Sequence, residues 1–66
     1  MVVKVIELVG SSKHNWTDAV DTAISEATRS LDDIVGVEVT NFTARVHNGQ
    51  ITDYTADLKV AFEVNK

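Results

Sequence analysis

The chain has 66 residues and a net charge of −4, and it contains no Cys. That length suits one small domain, predicted to span residues 1–66, whose core alone would be marginal. Without disulfides or cysteine zinc sites to add stability, self-association is the expected support. The acidic balance argues against a nucleic-acid surface, and no apolar run is long enough for a membrane span. The N-terminal apolar run is too short for a signal peptide, so we expect a cytoplasmic protein.

The first half of the chain predicts a strand followed by a helix. Residues 2–9 are rich in β-branched side chains and are followed by Gly10, which is typical of a strand and its end. After a short polar loop, Asn15 is a good helix N-cap. Over residues 16–33, apolar side chains recur at helical spacing and form one stripe, which consists of Val20, Ala23, Ile24, Ala27, Leu31 and Ile34.

The second half predicts a β-hairpin that turns at Asn48-Gly49. Asn-Gly is the preferred pair for a type I′ turn, because both central residues need a positive φ. If the two strands pair from this turn without a register shift, one face packs on the helix and carries the pairs Val35–Phe62, Val37–Val60 and Val39–Leu58. The order is therefore β-α-β-β. The predicted fold class is α+β, with a three-stranded antiparallel sheet wrapped around one helix.

The same pairing places a second apolar set on the opposite face, where a single helix cannot cover it: Phe42, Ala44, Val46 and Ile51. The hairpin strand would also span about 43 Å, whereas the predicted helix would span about 27 Å. Its apolar tip should therefore bury itself in another subunit. We predict a homo-oligomer with these residues at the subunit interface.

Several segments stand in a specific order and spacing: residues 4–12 (KVIELVGSS), Trp16, Val37-Glu38-Val39 and residues 58–63 (LKVAFE). Together they resemble the dodecins, small proteins of strand–helix–strand–strand order, and the resemblance covers essentially the whole chain. It implies a hollow dodecamer in which each sheet wraps its helix. It also implies riboflavin-type ligands, such as riboflavin or FMN, bound at subunit interfaces for storage or protection rather than catalysis.

Two positions depart from the flavin-binding dodecins. In those proteins a Trp near the start of the second strand stacks on the isoalloxazine ring, and a Gln early in the third strand hydrogen-bonds it. The aligned residues here are Gly36 and Thr55. Gly36 offers no stacking surface, and Thr55 lacks the paired donor and acceptor of an amide. We expect these positions, with the neighbouring Glu38, to form an altered pocket in which flavin binding is weak or lost.

Residues near the helix start have both a structural and a functional interpretation. Trp16 can cover the end of the core or stack on a ligand ring, and covering the core is the more common role for a single aromatic at a helix start. Lys13 and His14, with the adjacent serines, can hold an anion at the helix N-terminus. A capped helix start explains the same residues without any ligand.

Catalysis has little support, because no spacing resembles a nucleophile elbow or a paired-carboxylate site. We therefore expect a protein that is not an enzyme. Symmetry can gather copies of Glu38, Asp53 or Asp57 at an axis, where oxygen ligands suit calcium or magnesium. The sequence thus supports a small-molecule-binding oligomer with a changed interfacial pocket. The alternative is a structural or interaction oligomer that binds metal ions or other ligands but no flavin.

Overall fold

The computed structural model describes residues 1–64, and residues 65 and 66 of the predicted domain lie outside the described part. The predicted element order is confirmed: strand β1 (Val2–Ser12), helix α1 (Trp16–Thr28), strand β2 (Ile34–His47) and strand β3 (Gln50–Val64). The sheet is antiparallel, with β3 between β1 and β2. The α+β fold of one helix and a three-stranded sheet is therefore as predicted. No helix within residues 1–64 is long and apolar enough to cross a membrane.

β1 extends beyond its predicted end, through Gly10 to Ser12. Gly10 is buried, and a Cβ added there would overlap the Ala19 carbonyl oxygen and lie 2.9 Å from Ala23 Cβ. The helix backbone therefore approaches the strand more closely than any residue with a side chain permits. Gly10 is thus a packing residue within the strand and does not terminate it.

α1 is shorter than predicted, because it ends at Thr28 with Arg29 as its C-cap. The backbone amides of Ser30 and Leu31 both donate to the Ala27 carbonyl oxygen and close the final turn. Asp33 then adopts φ 58° and leads the chain into β2. The apolar stripe predicted for the helix therefore extends past its real end.

The core lies between α1 and one face of the sheet, here called the inner face, which carries Leu58 and Val60. Both side chains are almost fully buried, as are Ala19 and Ala56. The helix presents three buried alanines, namely Ala19, Ala23 and Ala27. Their small side chains let α1 lie close to the sheet, and the predicted stripe missed Ala19.

β2 and β3 pair with three register shifts that uniform pairing did not predict. The predicted partners are confirmed for Val37 with Val60 and for Val39 with Leu58. At the start of β2, however, Ile34 pairs with Phe62, and Val35 is an extra residue that is 59% exposed. The predicted pair of Val35 with Phe62 was therefore wrong.

A second shift, at Thr40, reverses the face on which the hairpin tip carries its apolar residues. Thr40 is the extra residue between Val39 and Asn41, and its Oγ1 donates to the Asp57 carbonyl oxygen at 3.1 Å. An extra residue inverts the alternation of side chains beyond it. Thr40 thus moves Phe42, Ala44 and Val46 to the inner face. Thr52, the extra residue between Ile51 and Asp53, does the same for Ile51, so the four predicted interface residues stay together but lie on the inner face, not on the opposite one.

The hairpin turn at Asn48-Gly49 is confirmed. Asn48 has φ 52° and Gly49 has φ 76°, as a type I′ turn requires. The flanking residues His47 and Gln50 pair directly.

We expect Gly49→Val to lower the free energy of unfolding by about 1–3 kcal/mol, because a β-branched residue resists a positive φ. No neighbouring atom lies within 4 Å of an added Cβ, so the cost is backbone strain rather than a clash. Gly49→Asn is the matched control, since Asn tolerates this region and should largely preserve the melting temperature. Equal melting temperatures for the Val variant and the wild type would contradict the expected strain.

Candidate functional site

The face of the sheet opposite α1, here called the outer face, carries an open hollow near the start of β2. Ala61 of β3 pairs with both Gly36 and Val5, so three strands contribute an aliphatic floor. The hollow has a volume of about 640 Å³. Among the described residues, no neighbouring atom lies within 4 Å of the position that a Gly36 Cβ would occupy. The hollow therefore has room for a ligand or for a larger side chain.

A charged row borders this floor. Lys59 pairs with Glu7 on one side and Glu38 on the other, and all three residues are exposed. Within residues 1–64, none of the three forms an ion pair with an oppositely charged side chain. The rim therefore combines two carboxylates with one ammonium group and has a net negative charge. An aliphatic floor beside free polar groups suits an amphipathic small molecule.

Of the three residues predicted for the ligand pocket, two lie together and one does not. Gly36 and Glu38 both line the hollow. Thr55 lies on the same outer face, where it pairs with Ser11 and Thr43, but it is about 20 Å along β3 from Ala61. A pocket that uses both Gly36 and Thr55 therefore needs contributions from two copies of the chain.

The pairing of β1 brings Val5 and Glu7 into the hollow, and sequence reasoning missed both. Lys59 faces Glu38 in the hairpin register but was not predicted as a site residue. Alternation along β3 from Ala61 would have found Lys59. No tight turn sets the register of β1, however, so the sequence offered no local signal for Val5 and Glu7.

Trp16 connects the start of α1 to the hairpin. Its Nε1 donates to the Thr43 carbonyl oxygen at 2.8 Å. Its ring meets Tyr54 at a centroid distance of 4.8 Å and Phe42 at 6.2 Å, both edge to face. This favourable arrangement supports the structural interpretation, in which Trp16 covers the end of the core. A small apolar cleft remains between Trp16 and Phe42.

The apolar hairpin tip is uncovered in the single chain. Phe42, Val46 and Ile51 are 53%, 61% and 46% exposed. The described residues extend 51 Å along their longest axis, whereas the 13-residue helix spans only about 20 Å. Large exposed apolar patches mark partner surfaces. The exposure of these apolar side chains still favours the predicted subunit interface, which also includes Ala44. The contact surface would be the inner face.

The polar side chains of the loop before α1 form hydrogen bonds within the loop and with the first turn of the helix. Ser12 is buried, and its Oγ donates to Asp18 Oδ2 at 2.7 Å and accepts from the His14 amide at 2.9 Å. Asn15 Oδ1 accepts from the Asp18 amide at 2.7 Å, which confirms the predicted N-cap. These bonds support a capped helix start rather than an anion site.

Asp53 forms ion pairs with two basic residues on the outer face. Its carboxylate lies 3.2 Å from Lys13 Nζ and 3.5 Å from Arg45 Nε, and the Asp53 side chain is only 19% exposed. The pKa of Asp53 is lowered, mainly because its carboxylate accepts a hydrogen bond from Lys13. Desolvation of the carboxylate acts in the opposite direction and raises the pKa. The positive charges of Lys13 and Arg45 and the hydrogen bond from Thr52 lower it further by smaller amounts. Asp53 is therefore less available for a shared metal site than Glu38 or Asp57.

We expect Asp53 to make the fold sensitive to acid. Because its folded pKa lies below the reference value of 3.8, ionised Asp53 stabilises the fold above that value. The contribution disappears as the pH falls through the lowered pKa. Melting temperatures measured from about pH 6 down to about pH 2 should therefore fall less steeply for Asp53→Asn than for the wild type.

Asp57→Asn is the matched control for this measurement, since no basic side chain within residues 1–64 pairs with Asp57. It should keep the steep acid dependence of the wild type. Parallel curves for Asp53→Asn and the wild type would show that this ion pair does not stabilise the fold.

Residues 1–64 contain no group of three His, Cys, Asp or Glu side chains that could hold a metal ion. A calcium or magnesium site built from Glu38 or Asp57 would therefore need carboxylates from more than one copy of the chain.

Comparison with known proteins identifies the family. A family model described as dodecin matches residues 2–65, and a search of curated proteins returned no significant match. A variant of the Thermus thermophilus dodecin has a TM-score of 0.94 and 26% identity, covering 98% of this chain and 97% of that one. The Streptomyces coelicolor dodecin has a TM-score of 0.94 and 28% identity, covering 98% and 93%.

A third structure is a calcium-chelating immunodominant antigen from Mycobacterium tuberculosis, called calcium dodecin and described as having a novel calcium-binding site. Its TM-score is 0.86 and its identity 33%, covering 98% of this chain and 93% of that one. The family model spans nearly the whole sequence, and the fold agrees with all three structures. The chain belongs to the dodecin family.

Proposed function

We propose that this dodecin is a non-catalytic homo-oligomer that binds and stores a small molecule in pockets formed between its subunits. The hollow over Gly36 is the observation that carries the proposal. By the resemblance to flavin-binding dodecins, it corresponds to the position of their stacking Trp, and it is open, aliphatic and bordered by polar groups. The protein acts as a single domain in the cytoplasm, and its activity is binding rather than catalysis.

The proposed assembly is a dodecamer. Two features of the chain support self-association: the exposed apolar tip around Phe42, Val46 and Ile51, and a core that by itself gives only marginal stability. The separation of Gly36 from Thr55 within one chain supports pockets shared between copies.

The preferred ligand differs from that of the flavin-binding dodecins, because the chain lacks the aromatic platform that holds the ring. The floor of the hollow offers Gly36, Ala61 and Val5, which supply apolar contact but no stacking. Stacking of a base on an aromatic side chain is worth about 1–3 kcal/mol. Riboflavin and FMN should therefore bind weakly.

We expect Gly36→Trp with Thr55→Gln to bind riboflavin about tenfold or more tightly than the wild type, because Trp restores stacking and Gln restores an amide contact. Among residues 1–64 no atom lies within 4 Å of the Gly36 Cβ position, so the new side chain starts in open space. Quenching of riboflavin fluorescence on titration with each protein measures the difference.

Gly36→Leu with Thr55→Gln is the matched control, since it fills the hollow without an aromatic ring. It keeps the amide contact from Gln but restores no stacking, so its affinity for riboflavin should stay well below that of the Trp variant. Tight binding by the wild type would show that other residues supply the stacking. No gain in the Trp variant would show that the pocket walls have changed beyond these two positions.

Native mass spectrometry of the purified assembly tests the proposed function directly. A homo-oligomer that carries a copurifying organic molecule would support it, and identification of that molecule would name the ligand. A monomer, or an assembly without any organic ligand even after incubation with candidate small molecules, would contradict it.

A structural oligomer that binds calcium or magnesium is the second candidate function. Glu7 and Glu38 present carboxylates without ion-pair partners in the described part of the chain, and the Mycobacterium tuberculosis relative is a calcium chelator. In the same mass-spectrometric experiment this function predicts bound divalent ions, removable by a chelator, in place of an organic molecule.

A further inference from the structure

The turn at Asn48-Gly49 combines an asparagine with the one residue type that has no side chain. We propose that Asn48 is a modification site, at which the chain spontaneously deamidates through a succinimide formed with the Gly49 nitrogen. This inference rests on the hairpin and needs no ligand. It requires that the turn itself stay open to solvent where the neighbouring apolar tip contacts another subunit.

The turn leaves the reacting groups accessible. Asn48 and Gly49 are both exposed, and no neighbouring atom lies within 4 Å of the position of a Gly49 Cβ. In the described part of the chain, no hydrogen bond holds the Asn48 side-chain amide. The Gly49 backbone amide also has no partner among the turn, loop and cap bonds there. Neither the Asn48 side-chain amide nor the Gly49 backbone amide must therefore break one of these hydrogen bonds before it reacts.

The chemistry needs only water and a solvent base. The base removes the Gly49 amide proton, and the nitrogen electron pair attacks Asn48 Cγ. The protonated base returns this proton to the side-chain nitrogen, the Cγ–N bond of the side-chain amide breaks, and that nitrogen leaves as ammonia. A five-membered imide remains. Water then opens the ring. Cleavage between Cγ and the imide nitrogen yields aspartate, and cleavage between the main-chain carbonyl carbon and that nitrogen yields isoaspartate.

The other asparagines of the described region lack this combination. Asn15 uses its Oδ1 as the helix cap, 2.7 Å from the Asp18 amide, and Trp16 follows it. Asn41 lies within β2 and is followed by Phe42. A bulky following side chain hinders attack by its own amide nitrogen, and strand pairing restricts the backbone rotation that the attack needs. Asn48 should therefore react first.

Deamidation would change the hairpin in two ways. The net charge would go from −4 to −5, since one carboxylate replaces one neutral amide. Isoaspartate would also add a methylene group to the backbone of a two-residue turn, next to the pair formed by Val46 and Ile51. The lengthened turn no longer matches the type I′ geometry that sets the register of this pair.

Tryptic peptide mapping of the full-length folded protein tests the proposal, because cleavage after Lys and Arg places the four asparagines of the sequence in four separate peptides, namely 14–29, 30–45, 46–59 and 60–66. The protein is incubated in mildly alkaline buffer and sampled over time. We expect peptide 46–59 to exchange one amide for one carboxyl, faster at higher pH. An isoaspartyl methyltransferase should label part of that peptide.

Asn48→Gly is the control variant, because Gly-Gly also suits a type I′ turn but has no amide to lose. Its peptide 46–59 should show no mass change. Earlier reaction of peptide 14–29 or 30–45 would overturn the proposal. So would an unchanged peptide 46–59 in the folded protein when the urea-unfolded chain reacts there, since the fold would then protect the turn.

Discussion

Gly10→Ala is expected to destabilise the protein by about 3 kcal/mol or more, at the upper end of the cost of overpacking a core. The added methyl group would overlap the Ala19 carbonyl oxygen and lie 2.9 Å from Ala23 Cβ. Backbone atoms cannot rotate away as a flexible side chain can, so α1 must shift off the sheet. That shift would loosen the contacts of α1 with the buried residues Leu58 and Val60.

For a chain of this size, such a loss corresponds to a fall in melting temperature of roughly 12 °C or more. Gly36→Ala is the matched control, because the same methyl group meets no neighbouring atom within 4 Å there. Thermal unfolding of both variants at one protein concentration separates a packing clash from a general effect of replacing glycine. A Gly10→Ala variant as stable as Gly36→Ala would disprove the close approach of helix and strand.

Phe42→Asp is expected to break the proposed assembly, because it places a charge in a surface that should be desolvated by another subunit. Phe42 is 53% exposed in the single chain and lies beside Trp16 at the base of the uncovered tip. Light scattering at micromolar concentration should give a mass many times that of the chain for the wild type, and a much smaller mass for the variant.

Phe42→Leu is the control for this substitution, since it keeps an apolar side chain at the interface and should still assemble. Circular dichroism of the Asp variant would report whether the separated chain stays folded. A core this small predicts that it unfolds more easily than the assembly. If light scattering gave the Phe42→Asp variant the same mass as the wild type, Phe42 would remain in solvent after assembly.

Local chemistry made several parts of the fold predictable. The Asn48-Gly49 pair is suited to its turn whatever surrounds it, because both residues accept a positive φ. Asn15 caps α1 through the amide of Asp18, which lies only three residues away. These signals involve neighbouring residues alone, so they could be read without the tertiary structure.

The end of α1 and the length of β1 were harder to predict. The apolar spacing of Leu31 and Ile34 continues the helical pattern, yet the helix ends at Thr28 and Ile34 instead begins β2 and packs on the core. Gly10 suggests a strand end but lies within β1, where it allows the helix to approach. In both cases packing between distant segments outweighed a local preference.

The sequence by itself determined the element order, the turn and the family resemblance, since each depends on local patterns. Only the tertiary structure decided which face carries Phe42 and which residues from β1 complete the hollow over Gly36. Side chains alternate with a period of two along a strand, so the single extra residue at Thr40 moves every later residue of β2 to the other face. No local signal marks that residue, because the shift follows from how β2 and β3 fit together beneath the helix.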